Sequence, residues 1–152
     1  MRTATTAVLL FLLAPRASAQ TACRLEGVWQ LISGKADGQP YPGSTRSLKI
    51  ITKGHFAVLS EEARGVQELK TAADSLQAFR TMGAGAGTYT LQGTTYTETL
   101  DYFADPAYGG RSVSFTCRTE GDRFFQTGAF PVFEKGKKVR DVKLDEVWRR
   151  IE

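Results

Sequence analysis

GTYTLQGTTYTETLDYFADPAYGGRSVSFTCRTEGDRFFQTGAF, residues 87–130, carries a regular two-residue pattern. Thr, Tyr, Val and Phe alternate with polar residues along it, and the alternation breaks at Gln92-Gly93, from Asp105 to Gly110, and at Gly121-Asp122. A period of two bounded by turn residues is a strand signature, so the stretch predicts four strands joined by short turns. A parallel crossover needs a dozen or more residues, which none of these connections has, so each strand is expected to pair antiparallel with its sequence neighbour.

On the C-terminal side, VKLDEVWRRI, from Val142 to Ile151, reads as one more strand. On the N-terminal side, a first strand is expected over Glu26 to Ser33 (EGVWQLIS). Lys35 to Gly43 (KADGQPYPG) is a loop, marked by Asp37-Gly38 and by Pro40 and Pro42. Arg46 to Thr52 and His55 to Ser60 form a hairpin about Lys53-Gly54. The period then lengthens: Leu69, Ala72, Ala73, Leu76 and Phe79, between Val66 and Phe79, recur at helical spacing, as in one amphipathic helix or a mobile lid. GAGAG, at Gly83 to Gly87, reads as a flexible connector. It follows a helix and precedes a strand, the reverse of the order that aims a helix N-terminus at a phosphate.

The expected fold is therefore all-β: about eight antiparallel strands with one short helix. Closure into an up-and-down barrel buries one face and removes both edges, and eight strands leave room for one small ligand inside. A β-sandwich is the alternative.

Residues 1–19 read as a signal peptide and 20–152 as the barrel domain. Arg2 supplies a basic start, Ala7 to Ala14 (AVLLFLLA) is apolar but too short to span a bilayer, and Ala17-Ser18-Ala19 fits a cleavage site, which places cleavage after Ala19. A lipoprotein anchored through Cys23 is the competing reading, but Gln20-Thr21-Ala22 lacks the Leu of a lipobox. The expectation is a secreted or periplasmic protein without stable membrane insertion after cleavage. Removal of 19 of the 152 residues leaves 133, one domain's worth of chain.

The formal charge of +4 includes Arg2 and Arg16, so the remaining chain carries 18 basic against 16 acidic side chains. KGKKVR, at Lys135 to Arg140, is flanked by Glu134 and Asp141 and contains Gly136, the pattern of an exposed hairpin tip. No aromatic residue interleaves with those lysines, and no nucleic-acid partner is expected. Cys23 and Cys117 are the two cysteines. In an exported chain they are expected to form a disulfide; the alternative is that Cys117 is a small buried hydrophobe of its strand. With no CxxC motif and no Cys/His cluster, no metal or other cofactor is expected.

Several segments carry a resemblance. Gly27-Val28-Trp29 matches the GxW signature of the calycin superfamily, in which the tryptophan closes the barrel floor beneath an arginine from the end of the chain, here Arg149 or Arg150. Thr52 to Val58 (TKGHFAV), Gly85 to Tyr102, Gly110 to Gly128 and Asp145 to Arg150 (DEVWRR) together resemble the bacterial secreted lipocalin-like domain family, over nearly the whole chain after Ala19. The resemblance implies a β-barrel with an internal cavity and no established reaction.

Alternation nominates the side chains of that cavity. On Thr95 to Phe103, the face with Tyr96, Glu98, Leu100 and Tyr102 holds the larger side chains and is the expected interior. Leu144, Glu146, Trp148 and Arg150 share a face of the last strand, an arrangement similar to that of fatty-acid-binding calycins, except that Glu146 stands where an arginine would hold a carboxylate. The expected ligand-binding set is His55, Tyr96, Glu98, Tyr102, Phe115, Phe124, Glu146 and Trp148, with Trp29, Arg150, Cys23 and Cys117 structural. The function this supports is binding of a small apolar or amphipathic molecule. The alternatives are an isomerase- or cyclase-type barrel enzyme using Glu98 or His55 as base, and an interaction protein with a filled core. No nucleophile elbow appears, and no catalytic residue is assigned.

Overall fold

The structure is a computed structural model and describes residues 23–62 and 68–152; the signal-peptide reading, and Val66 of the expected helix, lie outside the described residues. The described residues form nine strands: β1 (Gly27–Ala36), β2 (Gln39–Pro40), β3 (Arg46–Ile51), β4 (His55–Glu61), β5 (Met82–Gln92), β6 (Thr95–Phe103), β7 (Arg111–Glu120), β8 (Arg123–Glu134) and β9 (Lys137–Arg150). A helix, α1 (Ala72–Arg80), separates β4 from β5. From β3 to β9 each strand pairs antiparallel with the next. β1 then pairs with β3 through Gly27 to Gln30 and with β9 through Trp29 to Ala36, which closes an eight-stranded barrel. The two-residue β2 only extends β1, about the turn at Asp37-Gly38.

Turn chemistry explains why the meander folds where it does. Gly93 and Gly121 turn β5 into β6 and β7 into β8 with φ of 60° and 58°. At the β8–β9 tip Lys135 and Gly136 both have positive φ, as a primed two-residue hairpin turn requires, so the basic run sits on an exposed hairpin tip as expected. The helix is shorter than the sequence period suggested. It starts at Thr71, whose side chain accepts from the Asp74 backbone N–H while the Asp74 carboxylate accepts from the Thr71 N–H; this reciprocal cap fixes the first turn.

The expectation of a flexible connector at Gly83 to Gly87 is corrected: these glycines belong to β5. At two of them the neighbouring strand β6 comes too close for a side chain. A Cβ on Gly85 would stand 2.8 Å from the Phe103 ring, and one on Gly87 would collide with the Thr99 carbonyl oxygen. The close approach accompanies a bulge, since Gly87 pairs with Leu100 but Ala86 with Tyr102, leaving Asp101 unpaired. One extra residue inverts the phase of everything after it. Phe103 consequently turns toward the core, and Tyr102 points outward, 76% exposed, which corrects its expected place in the lumen.

One end of the barrel is sealed. Trp29 is fully buried, donates from Nε1 to the Leu25 carbonyl at 2.6 Å, and meets Phe124 edge-on at 5.4 Å between centroids. The Arg150 guanidinium lies 4.2 Å from the Trp29 ring centroid and donates to the carbonyls of Arg24 and Glu26, so of the two candidate arginines it is Arg150 that covers the floor. The segment before β1 is held there by a Cys23–Cys117 disulfide, and Leu25 is buried with both cysteines. Tyr96 and Phe124, expected as cavity walls, are fully buried in this floor, where Tyr96 packs against Tyr89, Phe115 and Phe124.

Candidate functional site

Above the floor the barrel contains a cavity of about 380 Å³. Leu31, Val58, Leu100, Phe103, Phe130 and Leu144 form its apolar wall, and Arg80, Thr81 and Met82, where α1 runs into β5, lie at its edge. Of the expected binding residues, Glu98, Phe115, Glu146 and Trp148 line the cavity together. His55 does not: it opens β4, its neighbour Phe56 takes the inward position, and the imidazole faces solvent. Alternation thus separates His55 from the cavity that Glu98 lines. Among the described residues no group of three or more His, Cys, Asp and Glu side chains is arranged to hold a metal ion.

The wall carries two polar clusters. In the first, Lys49 Nζ donates to Glu98 Oε1 and to Gln126 Oε1, each at 2.9 Å. Side-chain exposures of 3% for Lys49 and 5% for Glu98 make this a buried ion pair. The ammonium also sits 5.1 Å from the Trp148 ring centroid, 5.7 Å from Tyr96 and 5.9 Å from Phe115, so three ring faces surround its remaining side. Glu98, tied to a cation, is a wall group held in place rather than a free base. Burial first, and the nearby Glu98 charge second, push the Tyr96 hydroxyl well above its ordinary pKa. That hydroxyl makes no hydrogen bond of normal geometry.

In the second cluster, Glu146 accepts a 2.7 Å hydrogen bond from the Tyr41 hydroxyl at Oε1 and a 3.2 Å one from Trp148 Nε1 at Oε2. Tyr41 comes from the proline-marked loop. Its backbone N–H donates to the Gly34 carbonyl, and its ring lies against the Cα of Gly34, where any larger residue would collide with it. This fold-back puts a loop tyrosine on the cavity wall. Burial, then the charge of Glu146, raise its pKa far above the ordinary tyrosine value.

Lys49, Gln126 and Tyr41 are the site residues that sequence reasoning missed. Alternation on β3 separates Ser47, Lys49 and Ile51 from Leu48 and Ile50, and hydrophobicity alone would turn the second set inward. The barrel does the reverse: Ser47 and Lys49 are buried, and Ile50 is 40% exposed. The signal that could have found Lys49 is the complementary charge of Glu98 on an inward face.

A closed eight-stranded antiparallel barrel with this interior is compatible with a calycin-like fold and with ligand binding. No protein-family model matches the chain. No curated protein matches it either. Among solved structures it is similar to the crystal structure of an uncharacterised protein from Saccharomyces cerevisiae, with 21% identity and a TM-score of 0.55 over 80% of this chain and 51% of that one. The chain therefore spans about half the length of that protein, and at such identity the likeness concerns the fold alone.

Proposed function

We propose that this protein is an extracytoplasmic lipocalin-like binding protein that takes up one small apolar or amphipathic molecule inside its barrel. The observation that carries the reading is the cavity of about 380 Å³, which falls in the range of small-molecule sites and combines an apolar wall with a few fixed polar groups. The signal-peptide pattern of residues 1–19 supports the extracytoplasmic setting, and a disulfide suits an oxidising compartment. Among the described residues no helix is long and apolar enough to cross a membrane. The enzyme reading rested on Glu98 or His55 as base; one is engaged by Lys49 and the other faces solvent.

An environment-sensitive apolar dye tests this. Leu144→Trp fills the cavity from its wall, and Thr97→Val changes the outer face of β6, where Thr97 meets Ser114. Saturable one-to-one dye binding to the wild type and to Thr97→Val, lost in a folded Leu144→Trp variant, is expected. Dye binding that persists in Leu144→Trp would place it outside the barrel and overturn the reading.

A further inference from the structure

The two polar clusters of the cavity differ in charge balance. Lys49 and Glu98 neutralise each other at 2.9 Å, and the third partner of that cluster, Gln126, is neutral. The Glu146 cluster has no such compensation. Its hydrogen-bond partners are a phenol and an indole, both neutral donors, and among the described residues no Lys, Arg or His nitrogen lies within salt-bridge distance of its carboxylate. The residue is nevertheless only 8% exposed and forms part of the cavity lining. A carboxylate has about four lone-pair sites, of which these two donors take two. A carboxylate removed from water without a counter-charge is costly, and a cation brought to it inside the cavity removes that cost.

The surroundings reinforce the same sign. Asp145, the neighbour of Glu146 on β9, adds to the negative potential felt by the Tyr41 hydroxyl. Two cations belong to the lining: Lys49, which already donates to two oxygens and is enclosed by rings, and Arg80, which lies at the cavity edge where Glu62 also joins the lining. Leu31, Leu144 and Phe130 lie on the wall with Glu146 and supply an apolar surface for the rest of a ligand.

The geometry points to an amphipathic amine as the ligand class: a protonated amino group paired with Glu146 beside Tyr41, and an apolar body along the wall of the barrel. This rests on the reading of the cavity as a ligand site and specifies its chemistry. A fatty acid brings a head group of the opposite charge, which the Glu146 carboxylate repels.

Octylamine, octanoate and octanol share a chain and differ in head-group charge, so their binding to the full chain lacking residues 1–19, measured by calorimetry or by displacement of an apolar dye, separates the possibilities. Octylamine is expected to bind about tenfold or more tighter than octanoate, a factor on the scale of one charged hydrogen bond. In Glu146→Gln, which keeps the shape and removes the charge, octylamine should weaken by about tenfold while octanol changes by less than about twofold. Glu146→Asp, which keeps the charge on a shorter stem, should retain part of the preference. Equal binding of all three amphiphiles, or an octanoate preference, overturns the amine assignment and leaves the cavity reading standing. Binding of none of the three, in protein whose folding is verified by its near-ultraviolet spectrum, overturns both.

Discussion

Replacing Lys49 by Met probes the polar interior most sharply, because it removes a cation from a pair that is almost wholly buried and leaves the partner behind. Glu98, with a side chain 5% exposed, would be left without its counter-ion, and Gln126 would lose the donor 2.9 Å from its Oε1. Breaking one side of a buried ion pair costs about 3–5 kcal/mol, whereas removing both charges together is often close to neutral. Lys49→Met is therefore expected to lose about 3–5 kcal/mol. The double variant Lys49→Met/Glu98→Gln is expected to lose only about 1–3 kcal/mol, the scale of leaving the Gln126 amide oxygen without its hydrogen bond. At about 4 °C per kcal/mol for a domain of this size, the single variant should melt about 12–20 °C below the wild type and the double variant recover roughly half of that. Urea unfolding at pH 7 under non-reducing conditions, for the wild type, both single variants and the double, gives the coupling energy directly. A double variant as unstable as Lys49→Met, or worse, would refute the claim that the cost comes from a stranded Glu98 charge.

Trp29→Ala should cost about 3–5 kcal/mol, because it empties the floor beneath Arg150 and opposite Phe124; a loss below about 1 kcal/mol in chemical denaturation would count against the floor assignment. Reducing the Cys23–Cys117 bridge, which spans a sequence separation of 94, should lower stability by about 4–5 kcal/mol in the chain-entropy account, and a melting temperature indifferent to reductant would contradict it. Gly87→Ala should destabilise by about 1–3 kcal/mol, since the Thr99 carbonyl is backbone and cannot swing aside, while Tyr102→Ser, on the outside, should stay within about 0.5 kcal/mol of wild type; equal effects would mean that the bulge is wrongly placed. Tyr41 and Tyr96 hold their protons above the usual tyrosine value near 10. Above that pH the unfolded chain releases protons that the folded state retains, so stability should be level below pH 10 and fall above it by about 1.4 kcal/mol per pH unit for each of the two. A spectrophotometric titration in which every tyrosine ionises near pH 10 while the protein stays folded would disprove this.

The barrel was legible because its signals are local. Period-two alternation, glycines at Gly93, Gly121 and Gly136, and the absence of long connections in the meander leave antiparallel neighbours as the economical pairing, and the structure has them. Alternation also predicted that Glu98 on β6 and Glu146 and Trp148 on β9 face the interior, and all three line the cavity. It failed where the chain departs from strict period two. The bulge at Asp101 is set by Gly87 on the neighbouring strand, information absent from TETLDYF itself, so Tyr102 and Phe103 exchange roles. Gly85 and Gly87 looked like part of a linker because their cause, the Phe103 ring and the Thr99 carbonyl, arrives from elsewhere in the fold. Lys49 and Ser47 face inward against the hydrophobic pattern of their strand because the lumen is partly polar, and a single strand does not reveal which face a polar lumen will claim. Tyr41 was hidden for another reason: a loop read from Pro40, Pro42 and Gly43 has no period, so nothing local indicates that its ring folds onto Gly34 and reaches Glu146.

An amphiphile that enters the barrel and lies against its wall is reported by the two tryptophans, Trp29 in the floor and Trp148 on the cavity wall. A bromine-bearing amphiphilic amine quenches an indole only at contact. In a Trp29→Phe variant, where Trp148 is the remaining fluorophore, saturable quenching at one equivalent is the expected result, and in Trp148→Phe the emission of Trp29 should be nearly unchanged. Equal quenching of both tryptophans, or none of Trp148 under conditions where the amine binds, would contradict an internal site.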